Sequence, residues 1–243
     1  MMVSAAASTF AIGAALAVYP ADVFEDPPER LRADGIIVLD STAYIHGTLH
    51  WTKYMTDLLY DIYKATGQRC LAVALGGMSF AGSVAKSYEY LLELITKVCI
   101  APKFMVWVAL GNDVYPPHVN MQSYEAPLRA ALKQFLIKAM VYCPEHRFVF
   151  GGSSDVWQYR NHFPEESCVE YDRICSMVTR YIHSQRGVYP GIGAITGSSM
   201  LKGVVLVDRI GHLGEESMTQ LPVFFRMLAK WGMAGHSGRR SRL

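Results

Sequence analysis

The chain has 243 residues, just over half of them hydrophobic and 18% charged, with a formal net charge of +2. That length and apolar content can bury a full core, which excludes disorder over most of the chain and suits one α/β domain. Near-neutral charge, with no basic stripe interleaved with aromatics, argues against nucleic acid as a partner.

The first 18 residues are almost wholly apolar and small, and Ala15-Leu16-Ala17 would suit signal peptidase. They lack a positively charged n-region, however, and an acidic, Pro-rich stretch (21–28) follows. Residues 1–30 are therefore expected to be an apolar leader and linker, either a cleavable signal or a loosely defined segment. The run is short and rich in Ala and Gly, which argues against a membrane-spanning helix. A strand is expected over 36–40, then a helix over 51–64 with Met55, Leu58, Leu59 and Ile62 on one face. A second strand (69–75) ends in Gly76-Gly77-Met78-Ser79-Phe80-Ala81-Gly82. The next helix shows Tyr88, Leu91, Leu92 and Ile95 in register, and an unbroken apolar strand follows at 104–110.

Tyr115-Pro116-Pro117 breaks the chain before a long helix over 124–142. A fourth strand (147–151), a loop (153–164) and a helix carrying Ile174, Met177, Val178 and Ile182 come next. A Gly/Pro-rich connection (187–197) leads to an expected fifth strand at 203–207 and a last helix at 219–231. Five strand–helix alternations predict a parallel sheet inside a three-layer α/β/α sandwich, since parallel connections need crossovers. With five strands the flavodoxin-like order 2-1-3-4-5 is expected, its switch point between strands one and three. The domain is drawn at 31–232, and 233–243 as a basic flexible tail.

The five cysteines (Cys70, Cys99, Cys143, Cys168, Cys175) form no CxxC pair and no Cys/His spacing suited to a metal, and read as reduced core thiols. The final Ser241-Arg242-Leu243 resembles the peroxisomal Ser-Lys-Leu address. Localisation stays open between cytoplasmic, secreted and peroxisomal, and the oligomeric state is not indicated.

Three strand ends carry polar groups: Asp40-Ser41 after the first, Gly111-Asn112-Asp113 after the third, and Asp208-Arg209-Ile210-Gly211-His212 after the expected fifth. Chemistry in open α/β sheets gathers at the carboxyl ends of strands. Taken singly, Ser41 fits a helix cap, Asn112-Asp113 a turn, and His212 a loop histidine. Their order, each after its own strand, resembles the SGNH, or GDSL-type, esterase/lipase family across roughly 35–231. Leu39-Asp40-Ser41 stands where that family has Gly-Asp-Ser, and Ala74 to Ser79 where it has Asn-x-Gly-x-x-Gly. Leu110-Gly111-Asn112-Asp113 stands for Gly-x-Asn-Asp, and Asp208 to His212 for Asp-x-x-His.

The resemblance implies a serine esterase acting on a small-molecule acyl or acetyl ester through an acyl-enzyme, with no metal or organic cofactor. Ser41 would be the nucleophile, His212 the base and Asp208 its orienting acid. The Asn112 amide and backbone N–H groups at Ser41 and near Gly77 or Ser79 would form the oxyanion hole. Several blocks depart from the pattern: Leu39, Ala74, Ser79 and Leu110 replace a glycine, an asparagine and two further glycines. Asp208 stands four residues before His212 rather than three. Either a one-residue bulge lets Asp208 orient the imidazole, or the site is a Ser–His dyad, or it is inactive.

Three alternatives stand beside this reading. An SGNH-like protein with impaired catalysis would serve as a binding or interaction module. An α/β-hydrolase elbow at Gly77-Met78-Ser79-Phe80-Ala81 would make Ser79 the nucleophile, with Asp155 and His212. A nucleotide-binding flavodoxin-like domain has only the 76–82 loop in its favour, and that loop lacks the lysine of a phosphate loop.

Overall fold

The structure is a computed structural model and describes residues 7–12, 15–20, 30–39, 48–81, 86–109, 113, 121–150, 165–196 and 230. Among the described residues, five short, largely apolar runs form the parallel strands of the main sheet: β3 (Gly35–Leu39), β4 (Cys70–Ala74), β7 (Phe104–Ala109), β8 (His146–Phe150) and β9 (Ile192–Thr196). Every residue of the first four is buried, as expected of strands covered on both faces. Their order across the sheet is β4-β3-β7-β8-β9, which is the expected 2-1-3-4-5 arrangement with all four pairings parallel.

Four helices connect or follow these strands: α1 (Thr48–Thr66), α2 (Tyr88–Val98), α3 (Met121–Tyr142) and α4 (Glu165–Ser184). Alternate strand residues separate the two faces of the sheet. Ile36, Val38, Leu71, Val73, Met105, Trp107 and Phe148 share one cluster with the inner faces of α2, α3 and α4. The opposite face carries α1, which packs over β2 (Ala15–Pro20) and β4. Trp107 sits at the centre of the first cluster, edge-on to Tyr88 and Phe135. Full burial of each large apolar side chain contributes about 1.5–3 kcal/mol relative to exposure, so this cluster is a principal source of stability.

Two sequence expectations meet different findings. The apolar run read as a leader outside the domain supplies two strands, β1 (Ala7–Ile12) and β2, which pair as an antiparallel hairpin. β2 continues antiparallel onto β4, extending the sheet to seven strands among the described residues, and Ala17 lies fully inside the core. A run of small apolar residues serves a secretory leader or a buried edge strand equally well, so composition alone did not separate them. The fifth parallel strand, in turn, is Ile192–Thr196, inside the stretch read as a connection. The expected strand at 203–207 lies outside the described residues, as does the expected helix at 219–231 apart from Lys230, which is helical.

Glycine misled that second reading because it usually punctuates loops. Here it permits close approach. A Cβ on Gly191 would lie 1.9 Å from the Pro144 carbonyl oxygen, and one on Gly193 would lie 3.2 Å from Cδ of Arg147, its register partner on β8. Arg147 runs across that space to donate to the carbonyl of Gly191 and to pair with buried Glu145 at 3.0 Å.

At the amino-terminal edge the polar groups are structural. Asp34 accepts from the Arg69 N–H at 2.9 Å and pairs with Lys103 at 2.8 Å, tying together the starts of β3, β4 and β7. Among the described residues no helix is long and apolar enough to cross a membrane.

Candidate active site

β3 and β7 lie side by side, with Val38 in register with Trp107, so their carboxyl ends flank the switch point of the sheet. Ser41 follows β3 by two residues and Asn112 follows β7 by three. At roughly 3.3–3.6 Å per residue, chain connectivity keeps Ser41 within about 7 Å of the end of β3 and Asn112 within about 11 Å of the end of β7. Asp208 is 12 residues beyond Thr196, a distance at which connectivity constrains little. Ser41, Asn112, Asp155, Asp208 and His212 themselves lie outside the described residues.

Gly77, Ser79 and Asp113 are described, and they belong to one assembly. After β4 the chain turns through Gly77, whose φ of 73° is the left-handed conformation that glycine adopts without a Cβ penalty. Met78–Ser79 then forms β5, a two-residue strand paired in parallel with β6 (Lys86–Ser87). Ser79 is only 1% exposed. Its hydroxyl is therefore not presented at an open crevice, and eight residues separate it from α2. The α/β-hydrolase elbow instead needs an exposed serine on a direct strand-to-helix turn.

Two of the substituted block positions have a simple account. Leu39 and Ala74 are register partners on β3 and β4, both buried, so their side chains fill the core rather than crowd the rim. Leu110 lies outside the described residues.

Asp113 is a site residue that sequence reasoning passed over. It is completely buried, and its carboxylate accepts from Phe80, Ala81 and Tyr124 among the described residues. The Phe80 N–H reaches Oδ1 at 2.8 Å and Oδ2 at 3.0 Å, the Ala81 N–H reaches Oδ1 at 3.0 Å, and the Tyr124 hydroxyl reaches Oδ1 at 2.9 Å. Burial, followed by the charge and the hydrogen bond of Asp113, raises the Tyr124 phenol well above its ordinary range, so it stays protonated and donating. The loop after β4 is thus clamped to the segment after β7. The signal in sequence was an acidic residue in a loop beside a candidate oxyanion donor, which by itself does not say what it holds.

The buried thiols offer no rival nucleophile. Burial pushes Cys70, Cys99 and Cys143 up to about 12 and raises Cys175 as well, which leaves them un-ionised at neutral pH. Among the described residues no group of three His, Cys, Asp or Glu could hold a metal ion.

No model of a known protein family and no curated protein sequence matches the chain. Solved structures do. A family two carbohydrate esterase from Clostridium thermocellum superimposes with a TM-score of 0.55 and 12% identity, over 90% of this chain and 66% of that one. This chain therefore spans just under two-thirds of the length of that esterase. An acetyl-xylooligosaccharide esterase from Geobacillus stearothermophilus superimposes with a TM-score of 0.51 and 10% identity, over 82% of this chain and 96% of that one. At such identities the likeness is one of fold, and together with the sheet order it gives this chain an SGNH-type α/β fold.

Proposed function

We propose that the protein is a serine hydrolase of carboxylic esters that works through an acyl-enzyme. The observation that carries this reading is the adjacency of the carboxyl ends of β3 and β7, the strands that lead into Ser41 and Asn112. In the proposed reaction His212 takes the Ser41 hydroxyl proton as the oxygen attacks the ester carbonyl. Asp208 orients the imidazole. The Asn112 amide and backbone N–H groups at Ser41 and at Gly77 or Ser79 receive the negative charge that develops on the carbonyl oxygen. His212 then returns the proton to the departing alcohol, and water repeats the sequence to release the acid. The fold neighbours include enzymes described as a carbohydrate esterase and an acetyl-xylooligosaccharide esterase, which supports an acetyl ester on a sugar as the first substrate class to try.

Hydrolysis of p-nitrophenyl acetate by the wild type and by Ser41→Ala and Ser79→Ala variants tests the assignment. Ser41→Ala is expected to abolish turnover and Ser79→Ala to retain it. Loss with Ser79→Ala alone would move the nucleophile to Ser79.

A second reading rests on the sequence departures at Leu110 and in the Asp208–His212 spacing. They favour a binding module on the same fold, and folded wild type without turnover on any acyl or acetyl ester would support it.

A further inference from the structure

Asp113 does more than fill a turn, and its role rests on the esterase reading above. We infer that Asp113 is a positioning residue for the oxyanion hole, fixing the loop after β4 against the segment that carries Asn112. The carboxylate is wholly buried and receives two consecutive backbone N–H groups, Phe80 and Ala81, from a loop more than 30 residues away. A third donor, Tyr124, comes from the start of α3. Asn112 is joined to Asp113 by one peptide bond, and Ser79 to Phe80 by another. One carboxylate therefore sets the separation between two of the groups proposed to hold the oxyanion.

The same bonds narrow the choice of donors. The Phe80 and Ala81 N–H groups are committed to Asp113, so the loop's contribution to an oxyanion comes from Gly77 or Ser79. Charge-assisted bonds to backbone N–H are shorter and roughly twice as strong as neutral ones, which suits a part whose function is to hold position. Donors that are preorganised stabilise the transition state without rearranging as charge develops, whereas donors held loosely do not.

The experiment compares Asp113→Asn and Tyr124→Phe with the wild type, using p-nitrophenyl acetate turnover, labelling of Ser41 by a fluorophosphonate, and thermal unfolding followed by circular dichroism. Asparagine keeps the shape, removes the charge and turns an N–H toward Phe80. It is expected to lower kcat about tenfold to a hundredfold, the effect of a displacement near 1 Å in a catalytic group. KM should stay within about twofold, because ground-state binding is untouched. Tyr124→Phe removes one of the three donors and should lower kcat by a smaller factor, again at constant KM. It also keeps the inference testable if Asp113→Asn does not fold. Folded variants with wild-type kcat, or losses confined to KM, overturn the positioning role. A folded wild type that neither labels at Ser41 nor turns over overturns the esterase reading itself, and the role of Asp113 with it.

Discussion

Acid should weaken this fold in part through a buried imidazole, His146. Its ring lies at the start of β8, fully buried and stacked near Trp107 and Phe148. The Trp107 indole N–H donates to Nδ1 at 2.9 Å, so Nδ1 carries a lone pair. The proton is then on Nε2, which donates to the carbonyls of Ala139 and Cys143 at 3.0 Å each. Protonating Nδ1 would set one N–H against another in a fully buried site. Burial, first, and the neighbouring Arg147 charge lower the pKa to about 4, against the pull of the two carbonyls. The native state therefore binds fewer protons than the unfolded chain between about pH 6.5 and pH 4. The stabilisation is complete above that window, is lost as pH falls through it, and does not change further below it. Linkage gives a loss of about 2 kcal/mol by pH 5 and about 3 kcal/mol by pH 4, a large part of the 5–15 kcal/mol typical of a domain.

Urea unfolding at a series of pH values, for the wild type and His146→Gln, isolates this contribution. Glutamine keeps an amide donor for the carbonyls but does not titrate, and every other ionisable group cancels between the two proteins. The stability difference should shrink by about 2 kcal/mol from neutral pH to pH 5. Curves that run parallel over that window would refute the reasoning, as would an NMR titration of His146 near 6.5.

Three further substitutions test the architecture. Gly191→Ala should destabilise by more than ~1 kcal/mol, because its Cβ meets the Pro144 carbonyl, whereas Gly187→Ala, which meets nothing within 4 Å, should be neutral or slightly stabilising in the same melts. Glu145→Ala should cost about 3–5 kcal/mol in chemical denaturation, since it leaves the buried Arg147 guanidinium without its carboxylate.

The central strands were readable because burial on both faces demands unbroken apolar runs, and 104–110 has that pattern without ambiguity. Helix faces were readable for the same reason: Leu91, Leu92 and Ile95 recur at helical spacing and are buried where expected. β9 was not readable. Gly191 just before it answers to the Pro144 carbonyl and Gly193 within it to the Arg147 side chain, neighbours that only the folded sheet supplies. The edge hairpin was hidden by a composition it shares with secretory leaders. Within the proposed site, Ser41 and Asn112 stood out because each comes just after an apolar strand, and His212 because it carries chemistry that a hydrolase needs. Asp113 did not, because its partners Phe80 and Ala81 lie 33 and 32 residues away and are backbone groups. Side-chain identity carries no record of a contact with backbone, so a residue whose function is to hold a loop looks like any polar turn residue.

The central claim is that Ser41 is an activated nucleophile. Incubating the folded protein with a fluorophosphonate and mapping the adduct by peptide mass spectrometry tests it most directly, because the reagent needs a serine whose proton a base removes. The account predicts a single adduct on the peptide containing Ser41, lost in His212→Ala. An adduct on Ser79, or none on folded protein, would contradict it.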